Sequence, residues 1–219
     1  MSTVRLVVRP GETEFDGQSR IQGSLDLPLT DRGRQQVSEI VEQLRGDVFD
    51  TIYASPTEPA ATTAQIIGLA LDVPVKIVDG LANLHQGLWQ GLPLEEIRRK
   101  HPRVYKQWEE DPESVCAPNG EECEEAQQRV EQALKKPLKR GESFAVVAPE
   151  PIATLISSIL RGESSQLPGP IPRDGTPNRV ERILLTPVVT TIEPPAHNPA
   201  PQPAMMWRGL PSGEIPAVM

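Results

Sequence analysis

Apolar positions along the chain follow two spacings. Val4, Leu6, Val7 and Val8 form a nearly unbroken run stopped by Arg9-Pro10-Gly11. A short apolar run ended by turn residues predicts a buried strand of a parallel sheet. Thr51-Ile52-Tyr53-Ala54, Val75 to Val78, and Ser143 to Ala148 repeat that pattern. Between these runs the spacing is helical. Val37, Ile40, Val41 and Leu44 share a face behind the cap types Thr30 and Asp31, and Gly46 closes the segment. Ala60, Ala64, Ile67 and Leu71 mark a second helix. Leu92 to Asp111 predicts one or two surface helices, broken at Pro102, with Val104, Tyr105 and Trp108 on the apolar side. Ala126, Val130, Ala133 and Leu134 predict a helix that ends at Pro137, and Ile152 to Leu160 predicts the last.

Strands alternating with helices predict an α/β fold, a three-layer α/β/α sandwich with a mostly parallel sheet. Ile183-Leu184-Leu185 and Val188 to Ile192 fit final edge strands interrupted by Pro187. Residues 194–219 hold seven prolines and few large apolar side chains. They predict an irregular tail after a domain spanning 1–193.

Composition narrows the function classes. The 219 residues carry 22 basic and 30 acidic side chains, a net charge of −8. That balance argues against nucleic-acid or anionic-membrane binding, which needs a basic face. Two cysteines, Cys116 and Cys123, make no disulfide framework. The opening MSTVRLVV is too short and polar for a secretory signal, and no apolar run approaches the roughly 18 residues of a membrane span. A cytoplasmic location is expected, without metal or cofactor.

In open parallel sheets ligands bind at the carboxyl ends of strands, so the loop leaving Val8 is the expected site. It reads Arg9-Pro10-Gly11-Glu12-Thr13, then Ile21-Gln22-Gly23, Asp26, Pro28-Leu29-Thr30 and Gly33. Later segments are Ser55-Pro56 followed by Thr63-Ala64, then Leu81, Gly87, Trp89 and Gly91, and the turn Pro118-Asn119-Gly120-Glu121. Together these resemble the histidine phosphatase superfamily, in its phosphoglycerate mutase-like branch, over about residues 3 to 161.

The resemblance implies phosphoryl transfer through a covalent histidine intermediate, which needs a nucleophile, phosphate-binding cations and a proton donor. It also places the departures. The nucleophilic histidine falls on Pro10 and the second histidine on Pro149. A phosphate-binding arginine falls on Pro59, the acid on Asn83, and a loop asparagine on Asp16. Of the implied phosphate-binding set only Arg9 is left. Glycines, caps and apolar faces around these positions are kept, so scaffold is spared where chemistry is lost.

The expected function is therefore a catalytically inactive member that binds a ligand or a protein. Its ligand-binding candidates are Arg9, Glu12, Thr13, Gln22 and Gly23, and its partner is a weakly held anion or phosphorylated small molecule, or a protein. Two alternatives stand beside it: an active phosphatase or mutase with relocated groups, and an assembly role for the Pro-rich tail. Arg9 either retains an anion or pairs with Asp16 or Glu12. Glu12 and Thr13 also fit loop-bracing roles. His85 fits a substitute base or a solvated loop side chain. Cys116 and Cys123 have nothing basic beside them. Glu121, Glu122, Glu124 and Glu125 read as a solvated helix start.

Overall fold

The computed structural model describes residues 3–164, 167–170 and 179–185. These belong to a unit that runs from Met1 to Pro187, and Val188–Met219 form a second unit outside the described residues. The expected strand at Val188 to Ile192, the boundary at 193 and the tail therefore lie outside the described residues.

The apolar runs become β1 (Thr3–Val8), β2 (Thr51–Ala54), β3 (Val75–Ile77) and β4 (Phe144–Val147), joined by β5 (Val180–Leu185). Their order is β3-β2-β4-β1-β5. Among the described residues four strands are parallel and β5 runs antiparallel, on β1 from Val8↔Val180 to Thr3↔Leu185. Helices cover both faces, which is why β2 and β4 are buried throughout instead of alternating with polar residues. Leu6, Val8, Ile52, Ala54, Ala145 and Val147 pack on α2 (Asp31–Leu44) and α3 (Glu58–Leu71). Val7, Tyr53, Phe144 and Val146 pack on α6 (Cys123–Arg140) and α7 (Ile152–Arg161). The other α-helices among the described residues are the short α1 (Glu14–Gly17), α4 (Leu94–Lys100) and α5 (Pro102–Glu110). Trp89, Ile97, Tyr105 and Trp108 form a smaller core, with the two indoles 5.2 Å apart.

Helix α6 does not end at Pro137 but continues to Arg140. A proline inside a helix removes one hydrogen bond and crowds the preceding turn. Here that loss falls in the last turn, where Pro137 is itself buried and Leu138 packs on the core. The helix then closes at Gly141, whose φ of 65° lets its N–H reach the Leu138 carbonyl at 3.1 Å.

Candidate functional site

Strands β2, β4 and β1 are neighbours, so the loops after Ala54, Val147 and Val8 meet on one edge. The loop after β1 is held by backbone bonds. Gly11 N–H donates to Thr63 Oγ1 at 3.2 Å, and Glu12 N–H to Gln36 Oε1 at 2.9 Å. Thr30 N–H donates to the Glu12 carbonyl at 3.0 Å. Thr13 and Asp16 cap the short α1, with Thr13 N–H donating to Asp16 Oδ2 at 2.7 Å.

Arg9 pairs with neither Asp16 nor Glu12. Its Nε donates to Glu150 Oε1 in a short charge-assisted bond, and its Nη1 lies 3.4 Å from Glu181 Oε2. Both ion-pair partners come from elements far away in the chain. Glu150 follows Pro149 directly and precedes α7, whose Thr154 donates to the same carboxylate from its backbone N–H at 3.2 Å and from its hydroxyl at 2.9 Å. Glu181, on β5, also accepts from Ser157 Oγ at 3.1 Å. The amino end of a helix and an arginine fork form an anion-binding arrangement. Here the anion is a carboxylate of the chain itself.

A cavity of about 160 Å³ opens beside this pair. Of the expected site residues, Arg9, Pro10, Glu12, Asp16, Gln22, Gly23 and Pro149 line it. Thr13, Pro59, Asn83 and His85 do not. Thr13 is fully buried and braces the loop. Pro59 is buried near the start of α3, as first-turn geometry allows. Asn83 Nδ2 donates to the Gly23 carbonyl at 2.8 Å and its Oδ1 accepts from Leu84 N–H at 2.9 Å, so it is a brace for the cavity wall. His85 is exposed, with Nδ1 accepting from Gly87 N–H at 3.3 Å, and takes no part in the cavity.

Sequence reasoning placed none of Glu150, Arg179, Gln86 and Trp108 in the site, and Trp108 only on a helix's apolar side, yet all four line the cavity. Arg179 donates from Nη1 to the Pro10 carbonyl. Burial draws its guanidinium below the ordinary arginine value, and Glu12 opposes that shift. Cys123 lines the cavity too, but burial, reinforced by Glu113, pushes its thiol up to about 11. Cys116 is exposed and is likewise raised, by burial and Glu122. A thiol held protonated in this way is a poor nucleophile. Among the described residues no group of His, Cys, Asp or Glu is arranged to hold a metal ion.

Glu121 is not the solvated charge expected of it. Arg129 donates to both its carboxylate oxygens, at 2.5 and 2.9 Å. The same guanidinium reaches the carbonyls of Gly80, Ala82 and Asn83 at 3.0, 2.7 and 3.3 Å. One side chain thereby satisfies a loop that has no ladder of its own. Arg129→Ala is expected to lower stability in urea denaturation by about 2–4 kcal/mol, because it strands a largely buried carboxylate and three carbonyls. Arg129→Lys should recover less than half, since lysine lacks the planar fork. An alanine variant within about 0.5 kcal/mol of wild type would show that water serves these groups equally well.

Comparison with known proteins gives the family of the chain. Residues 6–175 match the model of the histidine phosphatase superfamily (branch 1). Phosphoserine phosphatase 1 of Hydrogenobacter thermophilus is 32% identical over 142 residues, covering 65% of this chain and 67% of that protein. Glucosyl-3-phosphoglycerate phosphatase of Mycolicibacterium vanbaalenii is 36% identical over 123 residues, 56% of this chain and 54% of that protein. Phosphoglycerate mutase-like protein 4 of Arabidopsis thaliana is 33% identical over 147 residues, 65% of this chain and 64% of that protein. The chain thus spans between about half and two thirds of these relatives. A solved mycobacterial glucosyl-3-phosphoglycerate phosphatase with VO3 shares the fold at a TM-score of 0.70 and 23% identity, covering 82% of this chain and 90% of that one. With its match extending over residues 6–175, the chain belongs to the histidine phosphatase superfamily, branch 1.

Proposed function

We propose that this chain is a pseudoenzyme of its superfamily, a former phosphatase site now used for binding. The observation that carries the reading is Glu150. Arg9, the first turn of α7 and the Thr154 hydroxyl converge as an anion site, and the chain's own carboxylate fills it. A phosphate group would have to displace a covalently tethered competitor and then face Glu12 and Asp16 on the cavity wall. The two positions from which the resemblance expects histidines are Pro10 and Pro149, which offer no nucleophile and no base. Asn83, where it expects the acid, is spent on the Gly23 carbonyl and lends no proton near neutral pH.

Several relatives are named as phosphatases, which gives the opposing reading its weight. The deciding experiment is turnover. The purified full chain is expected to leave para-nitrophenyl phosphate and phosphoglycerates unchanged above background. Phosphate release that follows the protein through purification, and that disappears in Cys123→Ser or His85→Ala, would return the chain to its relatives' chemistry.

A further inference from the structure

The cavity beside Glu150 is too well built to be left over. Its volume of about 160 Å³ suits one six-membered ring, since an engineered apolar cavity of about 150 Å³ holds benzene. Its apolar lining includes Leu84, Leu94, Trp108, Val115 and Leu167. Among the described residues the charges on the remaining lining are balanced, Arg9, Arg20 and Arg179 against Glu12, Asp16 and Glu150. The cations are engaged within the protein: Arg9 with Glu150, Arg20 Nη1 with the Gly91 carbonyl at 2.7 Å, and Arg179 Nη1 with the Pro10 carbonyl.

What is not engaged is a neutral group. Gln86 lines the cavity and is only 9% exposed. Its backbone N–H donates to Gln90 Oε1 at 3.3 Å, but its side-chain amide has no hydrogen bond among the described residues. Gln22 lines the same cavity at 5% exposure and donates from Nε2 to the Leu25 carbonyl at 3.3 Å. Its amide oxygen accepts nothing among the described residues. Both amides face the cavity, where a ligand with matching polar groups can pair with them in place of water. Two of them opening on one ring-sized space point to a ligand that completes them.

From this we infer the ligand class of the site: a small uncharged molecule with one ring and a carboxamide-like or hydroxyl group, its ring against Trp108 and Leu84 and its polar end on Gln86. The inference rests on the pseudoenzyme reading, which removes phosphate as the natural occupant. A neutral ligand leaves the balanced lining balanced. A charged ligand of either sign gives up its hydration without a net attraction from such a lining to offset the loss.

Three phenyl probes of similar size separate these cases: benzamide, benzylamine and phenyl phosphate, titrated against the full chain by ligand-observed NMR and tryptophan fluorescence. Benzamide is expected to bind with a millimolar or tighter Kd, and roughly tenfold more tightly than either charged probe. Gln86→Leu, close in size but without the amide, is expected to weaken benzamide roughly fivefold or more, with its melting temperature checked alongside. If that variant fails to fold, the order of probes on the wild type still decides. A charged probe binding as tightly as benzamide, no benzamide binding at about 10 mM, or undiminished binding by folded Gln86→Leu each overturns the assignment. Failure of the pseudoenzyme reading is visible separately, as inorganic phosphate released from phenyl phosphate.

Discussion

Glu150→Ala is expected to lower stability by about 2–4 kcal/mol and to make the remaining stability depend on phosphate. The Arg9 and Glu150 side chains are 11% and 14% exposed, so the pair is shielded from the screening that weakens surface ion pairs. Removing one partner of a buried pair costs about 3–5 kcal/mol, chiefly because the other charge is left without compensation. The smaller range applies here because Arg9 keeps Glu181 at 3.4 Å. Thr154 loses an acceptor for both its backbone N–H and its hydroxyl, which adds to the cost.

Those same losses create a vacancy for an anion. In the variant, Arg9 Nε, the Thr154 hydroxyl and the first turn of α7 lose the carboxylate they donate to, while Arg9 Nη1 stays on Glu181. If phosphate binds there with a Kd of about 1 mM, then about 10 mM phosphate stabilises the variant by about 1.4 kcal/mol through mass action. The wild type, with Glu150 in place, should move by less than about 0.3 kcal/mol under the same conditions. Glu150→Gln should fall between, since the amide keeps an acceptor but no charge. Urea denaturation with and without phosphate reads all three proteins. An equal phosphate response in wild type and Glu150→Ala would mean that anions bind elsewhere, and that Glu150 is not the internal occupant argued above.

This pairing also marks how far the sequence could be read. The four parallel strands and the helices on both faces were legible because each is written as a local run or a local period, and β1, β2 and β4 stand close to where the runs place them. The edge strand β5 was legible only in part: its apolar half was visible from Ile183, while Val180 to Arg182 carried no strand reading. Helix α6 was cut short because a proline was read by its usual effect, when the packing of Leu138 keeps the next turn helical. The loss of the implied histidines was visible in Pro10 and Pro149, but what replaced their ligand was not. Glu150 lies 141 residues from Arg9, and nothing local distinguishes it from any acidic residue before a helix. The one available signal was position: an acidic residue at a strand's carboxyl end, just ahead of a helix, is where an internal anion would be useful. Arg129 was missed for a similar reason. Its acidic partner and three carbonyl partners come from loops whose proximity only the fold creates.

Gly33→Ala is expected to be among the most damaging single changes in the scaffold, at about 3 kcal/mol or more, although alanine is the better helix former. Gly33 sits in the first turn of α2, where the helix backbone lies directly against the loop that carries Arg9. A Cβ at Gly33 would fall well inside contact distance of the Glu12 carbonyl oxygen and 2.9 Å from the Glu12 nitrogen. The approach is reciprocal: a Cβ at Gly11 would lie 2.9 Å from the Gly33 carbonyl carbon and 3.0 Å from Val37 Cγ2. At Gly33 the obstacle is backbone, with no flexible side chain able to swing aside. Glu12 is also pinned from both sides, its carbonyl accepting from Thr30 N–H and its own N–H donating to Gln36. The loop must therefore shift as a piece, and Arg9 shifts with it. The propensity gain from alanine is about 1 kcal/mol at most, too little to offset overpacking against backbone. Gly17→Ala is the internal control, because a Cβ there meets nothing within 4 Å, and it should be neutral or slightly stabilising. Urea midpoints for the two variants decide the matter. If Gly33→Ala gained stability as Gly17→Ala does, the loop would be free to move away from α2, and the rigid placement of Arg9 against Glu150 would lose its support.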